Sequence, residues 1–328
     1  MTTVAIISNW DLQCGNAADA RDMQRELEKE FTVIGLPGNF QAVKEVLSAR
    51  KVDVALINWH ESRVRVTAED VRWLKSQGIK VILKLQNTTD QYSFNGDILT
   101  ESDIVLSHEP VRFDSNKVRA VVIPIGIPEV DCPAPYEEKW IGTAGFPFPW
   151  KRFDVVAEAA KKFNVRCRMI APRSDQMDTD KFMDGIKGHL GPLADIHRGW
   201  YDTETVVRML AECTLNIFWY NSYGHEDQLG QSGSVRMGLA AKRPTIISTH
   251  RKLKTLLPYG EELYICLKEE HVYEAIAEIF AAPEKARRPK RLLEDMGWNR
   301  VGEQYRKLVR DVCSTDYVTR KERKGEIE

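Results

Sequence analysis

Apolar and polar positions form two recurring patterns along the chain. Short apolar runs, of which VAIIS (4–8) is the first, predict strands buried on both faces, while apolar residues spaced three or four apart predict amphipathic helices. The two patterns alternate, which indicates a parallel sheet covered by helices on both faces. The first half has predicted strands at 4–8, 32–37, 52–58, 80–85, 103–107 and 120–125, and predicted helices at 16–31, 39–50 and 67–78.

The alternation stops at IPEVDCPAPYEE (127–138), a stretch with three prolines and no periodicity that we interpret as a linker. It then restarts. Strands are predicted at 139–145, 165–172, 215–220 and 244–248, and helices at 151–163, 203–212, from about 232, 271–281 and 298–313. We therefore predict two doubly wound α/β domains, 1–130 and 131–300. A C-terminal helix and charged tail (301–328) follow, and we expect the helix to pack back toward the first domain.

Composition narrows the class of protein. The chain has 328 residues, of which 43% are hydrophobic and 29% charged, as is typical of soluble globular proteins. A net charge of −1 gives no general attraction to nucleic acid or anionic membranes. Six scattered cysteines without a CxxC pair favour reduced thiols over disulfides or a zinc site. Because no signal peptide or apolar run of membrane-spanning length is apparent, we expect a cytoplasmic protein without stable membrane insertion.

The loops that follow the predicted strands of the first half are candidate binding loops, because open α/β sheets bind ligands at the carboxyl ends of their strands. Gly15 and Asn16 open a helix, whose free N–H groups could meet an anion or a polar substrate. Taken alone, these residues favour the alternative of an ordinary turn between strand and helix. His60 and Glu61 follow a buried strand, and we weigh a functional His60 against a structural one.

Two adjacent cations follow the first strand of the second half, in GFPFPWKRFD. Lys151 and Arg152 stand at a predicted helix start, where cations oppose the helix dipole. A bound polyphosphate would remove this conflict, because both side chains would neutralise it. A solvated basic turn is the alternative.

A second polar loop, GHEDQLGQSGS, follows the apolar strand LNIFWY. Its acids, Glu226 and Asp227, could hold sugar hydroxyls. Ser232, Gly233 and Ser234 lead into a helix, whose first N–H groups could bind an anion. A simple serine-capped helix is the alternative.

Six motifs in order resemble those of the retaining glycosyltransferases of family 4. They are CGNAADARDMQREL, ALINWHE, VVIPIGIP, IGTAGFPFPWKRFDVVAEAAKKF, QSGSVRMGLAAKRPTIIS and GWNRVGEQYRKL, and together they cover most of the chain. The resemblance implies the GT-B fold, an α/β architecture in which two Rossmann-like doubly wound domains face each other across a cleft.

The resemblance also implies roles for individual residues. The donor diphosphate would be bound by Lys151, by the first loop at Gly15 and Asn16, and by the backbone of Ser232, Gly233 and Ser234. Glu226 or Asp227 would contact the donor sugar, and His60 would face the sugar or the acceptor.

Three positions depart from the family's pattern. Phe146 replaces an arginine, so Arg152 or Arg173 would substitute for it. Met237 stands where the family has the second glutamate of a pair, and Gln86 replaces a histidine. An unusual or inactive member is therefore an open alternative.

The resulting hypothesis is a glycosyltransferase that moves a sugar from a nucleotide-diphosphate-sugar to a hydroxyl acceptor with retention of configuration. It needs no cofactor and no metal, and no DxD motif stands on a suitable loop. The expected acceptor is a soluble small molecule or a polysaccharide. The basic stretch KARRPKR (285–291) keeps a hydroxylated base in nucleic acid as an alternative acceptor. A non-catalytic nucleotide-sugar-binding protein, a sugar-nucleotide epimerase and a phosphorylase-type transferase are the rival interpretations.

Overall fold

A computed structural model of the chain describes residues 1–60, 64–86, 88–89, 96–111, 113, 116–174, 177–221, 228–229 and 232–314. The described residues form two compact α/β units. Unit 1 is drawn from 1–126, 227–230 and 298–328, and unit 2 from 127–226 and 231–297.

The strands are numbered in chain order. They are β1 (Thr3–Ser8), β2 (Thr32–Pro37), β3 (Val54–Trp59), β4 (Lys80–Leu85), β5 (Thr88–Thr89), β6 (Ile104–Ser107), β7 (Ala120–Val122), β8 (Trp140–Ala144), β9 (Arg166–Ile170), β10 (Ala194–His197), β11 (Leu215–Phe218), β12 (Gln228–Leu229), β13 (Thr245–Ser248) and β14 (Tyr264–Cys266).

The α-helices are α1 (Gly15–Leu27), α2 (Phe40–Ala49), α3 (Ala68–Ser76), α4 (Gly96–Glu101), α5 (Phe153–Phe163), α6 (Asp180–Leu190), α7 (Thr203–Ala211), α8 (Gly233–Ala240), α9 (Glu269–Ala281), α10 (Arg291–Met296) and α11 (Trp298–Cys313). Short 3-10 helices cover Pro149–Lys151, Gly191–Leu193 and Arg251–Tyr259.

Unit 1 contains a parallel sheet with the strand order β2-β1-β3-β4-β6-β7. One apolar cluster joins a face of this sheet to α2, α3 and α4, and another joins the opposite face to α1 and α11. The strand order reverses between β1 and β3, so a crevice forms at the carboxyl ends of these two strands.

A buried polar network ties α1 to the sheet of unit 1. Lys84, on β4, forms an ion pair with Asp19 of α1, and neither side chain is more than 2% exposed. The Gln86 amide donates to the same Asp19 carboxylate at 2.8 Å. The Lys84 ammonium also lies 5.4 Å from the ring centre of Tyr305, on α11. Three elements of unit 1 therefore meet at one buried charge pair.

Unit 2 contains a parallel sheet with the strand order β10-β9-β8-β11-β13-β14. Relative to its first strand this is the order of a dinucleotide-binding Rossmann sheet, and the order reverses between β8 and β11. Helices α5, α6 and α9 pack on one face, while α7, α8 and α10 pack on the other. The ends of β8 and β11 are thus where this topology favours a ligand.

Some elements differ from the sequence predictions. The predicted strand 120–125 is shorter and covers Ala120–Val122. The predicted helix 151–163 is divided: a 3-10 turn ends at Lys151, Arg152 has a left-handed backbone (φ 45°), and α5 begins at Phe153. In addition, β5 and β12 form a short antiparallel pair that the local pattern did not predict.

No helix among the described residues is both long enough and apolar enough to cross a membrane. All six cysteines are free thiols.

Candidate functional site

The crevice of unit 2 begins at Gly145, immediately after β8. Its φ of +122° is a conformation that side chains rarely adopt, and its N–H donates to the carbonyl of Ile170 at 2.9 Å. A Cβ atom at position 145 would lie 2.2 Å from Ser234 Oγ and 2.7 Å from Lys151 Nζ. Glycine therefore provides the space in which Lys151 and Ser234 meet.

Lys151 is the buried cation of this crevice. Its side chain is carried by the 3-10 turn after β8, and the residue is only 8% exposed. The ammonium donates to Ser234 Oγ at 3.2 Å and lies 5.3 Å from the ring centre of Trp150. Within the described part of the chain, no carboxylate forms an ion pair with it. Burial and nearby Lys252 lower the pKa of Lys151 to about 7.

The start of α8 faces the same point. Ser232 precedes the helix, but its side chain does not cap it. Instead its hydroxyl forms a 2.8 Å hydrogen bond with the hydroxyl of Tyr220. The first N–H groups of a helix have no acceptor within that helix, and its N-terminus carries a partial positive charge. The N-terminus of α8 therefore supplies donors for an anion.

We call the group formed by Gly145, Lys151, Ser232, Gly233 and Ser234 the Lys151 cradle. Its electrostatics favour an anion, because a buried ammonium and a helix N-terminus meet there without a carboxylate partner for Lys151 among the described residues. Lys252 adds to this potential, and burial lowers its own pKa to about 8. A bound anion would favour the charged form of both lysines.

The other two predicted cations lie elsewhere in unit 2. The Arg152 guanidinium forms ion pairs with Asp154 at 2.9 Å and Glu269 at 2.8 Å. Arg173 is exposed and pairs with Asp180 at 3.1 Å. Of the three predicted cations, Lys151 is the one that the structure brings to Ser234.

The departures within unit 2 have structural explanations. Phe146 belongs to an aromatic stack, with its ring centre 5.7 Å from that of Phe148 and 5.8 Å from that of Trp200. Met237 packs against the apolar cluster of α7 and α8. Neither position places a charge in the cradle.

In unit 1, Gly15, Asn16 and His60 lie at the crevice between β1 and β3. Gly15 and Asn16 are the first residues of α1, and His60 directly follows β3. The side chain of Asn58 donates to the carbonyl of Asn16 at 3.1 Å and to Ser8 Oγ at 3.1 Å. Asn58 in turn accepts a hydrogen bond from Gln86, the third departure from the family's pattern. This network fixes the entrance of α1.

Two of the predicted catalytic residues, Glu226 and Asp227, lie outside the described residues. Within the described part of the chain, no group of three or more His, Cys, Asp or Glu side chains could hold a metal ion.

The sequence patterns did not predict the cluster of aromatic rings beside the Lys151 cradle. Trp150, Tyr220 and His250 contact one another there, with ring centres 5.2 to 6.2 Å apart. Lys252 lies 4.9 Å from the ring centre of Trp150. These residues come from three separate stretches of the chain. The available signal was that each stands at, or within five residues after, the end of a strand-like run.

Comparison with known proteins identifies the fold. No protein-family model and no curated protein matches the sequence. Among solved structures, sucrose-phosphate synthase from Thermosynechococcus elongatus superposes with a TM-score of 0.72 at 12% identity, covering 95% of this chain and 99% of that one. A glycosyltransferase from Rickettsia africae gives a TM-score of 0.69 at 13% identity and 96% and 99% coverage. HepE of Anabaena, in complex with UDP and glucose, gives 0.65 at 10% identity and 94% and 99% coverage.

The chain has the GT-B fold. Identities of this size establish the shared fold, and the predicted α/β architecture with two Rossmann-like units is confirmed. In this GT-B chain, the Lys151 cradle lies at the strand-order reversal of the second unit.

Proposed function

We propose that the protein is a glycosyltransferase that moves a sugar from a nucleotide-diphosphate-sugar to a hydroxyl acceptor, with retention of the anomeric configuration. The observation that carries the proposal is the Lys151 cradle. A buried cation and a helix N-terminus meet there, at the end of a Rossmann sheet.

The cradle has the chemistry that sugar transfer from such a donor requires. When the bond between the sugar and the diphosphate breaks, negative charge develops on the leaving diphosphate. Lys151 and the N–H groups of α8 would stabilise that charge, and because they are fixed before the reaction they need little reorganisation. The hydroxyl of Ser234 holds the ammonium in place at 3.2 Å.

The nucleotide-sugar part of the proposal is also supported by the solved structures. HepE of Anabaena has the same fold and was solved with UDP-glucose, at 10% identity and a TM-score of 0.66. UDP-sugars are therefore the first donors to test. Residues of unit 1, including His60, would contact the acceptor or the transferred sugar. Glu226 or Asp227 would contact the donor sugar.

The proposal is tested by incubating the protein with UDP-, GDP-, ADP- and dTDP-sugars, in water and with a set of hydroxylated acceptors. We expect one donor to be consumed with release of its nucleoside diphosphate, and NMR of the product to show the donor's anomeric configuration. An inverted product would contradict the retaining mechanism. If no donor is bound or consumed, the proposed function is wrong, and a donor that binds without turnover would favour the non-catalytic alternative.

The lowered pKa values of the cradle predict a pH dependence of diphosphate binding. Lys151, with a pKa of about 7, is charged below that pH and largely neutral above it. A bound diphosphate raises the pKa of Lys151 and also that of Lys252, which is about 8 in the free protein. Binding at pH 8 therefore takes up a proton on Lys151 and part of a second on Lys252, and the affinity for UDP falls by up to about 100-fold per pH unit as the pH approaches 9. Calorimetry in two buffers with different ionisation heats measures this uptake. UDP binding without proton uptake at pH 8 would contradict the assignment of Lys151.

A further inference from the structure

Unit 2 contains a cavity of about 700 Å³ at the carboxyl ends of β11, β13 and β14. Small-molecule sites commonly measure about 300 to 1,000 Å³, so this volume suits a small ligand. Tyr220 lines the cavity with its neighbours Trp219 and Asn221, but Lys151 and Ser234 are not among its described lining residues. The cavity is therefore adjacent to the Lys151 cradle without being part of it.

The described lining of this cavity is strongly basic. Arg152, Arg251, Lys254 and Lys268 line it, and Glu269 is the one carboxylate among the described lining residues. Among these described residues the cations outnumber the carboxylates by three. Because Glu269 already pairs with Arg152 at 2.8 Å, it does not neutralise the two lysines. Such a wall attracts a multiply charged anion.

The inner wall offers hydrogen-bonding groups and aromatic surface. The Asn221 amide oxygen is buried, and within the described part of the chain no donor reaches it. His250 is 6% exposed, lines the same cavity, and accepts the backbone N–H of Lys252 at Nδ1 over 3.1 Å. A buried acceptor such as the Asn221 oxygen is costly without a donor, and a ligand hydroxyl would donate to it.

We propose that this basic cavity binds a phosphorylated, polyhydroxylated small molecule. Its phosphate contacts Arg251, Lys254 and Lys268, and its hydroxyl groups contact Asn221 and His250. The rings of Trp219 and Tyr220 provide the apolar surface on which the carbon skeleton rests. This site depends on neither the donor nor the reaction proposed above.

Calorimetric titration of the full-length protein with glucose 6-phosphate tests the site, with glucose and inorganic phosphate as the matched probes. We expect one equivalent of glucose 6-phosphate to bind, at least about tenfold more tightly than either probe. The double variant Lys254→Glu/Lys268→Glu should weaken this binding by at least about tenfold. Both lysines are exposed, so the fold should tolerate the change. Lys181→Glu/Lys187→Glu is the control, an equal charge change at two exposed positions of α6.

The variants also separate this site from the cradle. Lys151→Met should leave the affinity for glucose 6-phosphate unchanged. Lys254→Glu/Lys268→Glu should leave the affinity for UDP within about threefold of that of the unaltered protein. Absence of glucose 6-phosphate binding at millimolar concentration would overturn the proposal. So would equal binding by the double variant, or loss of binding in Lys151→Met. If glucose 6-phosphate binds as expected but no nucleotide-sugar does, the proposed function fails and the basic cavity stands.

Discussion

Replacement of Lys151 by methionine is expected to lower kcat for sugar transfer by a factor on the order of 100 to 1,000. Methionine fills a similar space without the ammonium that donates to Ser234. The charge of the leaving diphosphate would then be met by the N–H groups of α8 and the more distant Lys252. Steady-state kinetics with the donor that the protein consumes measure the loss. Lys161→Met, which removes an exposed cation from α5, is the matched control and should retain activity.

The same variant should not lose stability. The folded protein lowers the pKa of Lys151 to about 7, because burial and Lys252 disfavour the charged form. The unfolded chain, with an ordinary lysine pKa, binds more protons between pH 7 and 10. Lys151 therefore destabilises the ligand-free fold most at low pH, and its contribution becomes less unfavourable as the pH rises through this window. We expect Lys151→Met to unfold at the same urea concentration as the unaltered protein or a higher one. Inactivity caused by unfolding would contradict this assignment.

The second large effect is expected at Asp19, in unit 1. Asp19→Ala leaves the Lys84 ammonium buried without its carboxylate, which should cost roughly 3 to 5 kcal/mol in the free energy of unfolding. The double variant Asp19→Leu/Lys84→Met removes both charges and should be considerably more stable than Asp19→Ala. Urea denaturation measures both differences.

An exposed ion pair provides the control for this experiment. Asp311→Ala breaks the contact with Lys307 on α11, where both side chains are at least 38% exposed, and should cost less than about 1 kcal/mol. If Asp19→Ala costs no more than Asp311→Ala, the buried pair does not organise unit 1. The Gln86 amide donates to both Asp19 and Asn58, and Asn58 donates to the carbonyl of Asn16. Loss of the Gln86 side chain should therefore also loosen the first turn of α1 at Asn16.

The strands with continuous apolar runs were predictable from sequence. The predicted strand at 80–85 coincides with β4, and the predicted helix at 298–313 coincides with α11. Burial on both faces produces an apolar run that is visible locally. Edge strand β10 was missed because all four of its residues are only partly buried, so ADIH shows no such run. The pairing of β5 with β12 joins segments about 140 residues apart, which no local pattern reports.

The candidate site was predictable in its parts but not in its assembly. Lys151 and Ser234 each follow a strand, and parallel topology brings the carboxyl ends of those strands together. The sequence does not show that Lys151 turns inward while its neighbour Arg152 pairs with Asp154 and Glu269. That division follows from the left-handed backbone of Arg152, a local conformation that residue type does not dictate.

We propose that the Lys151 cradle holds the diphosphate of a nucleotide-sugar donor. A crystal structure of the protein with the nucleoside diphosphate of the consumed donor tests it most directly. We predict phosphate oxygens about 3 Å from Lys151 Nζ and from the first N–H groups of α8. A nucleotide whose phosphates lie away from both Lys151 and α8 would contradict the account.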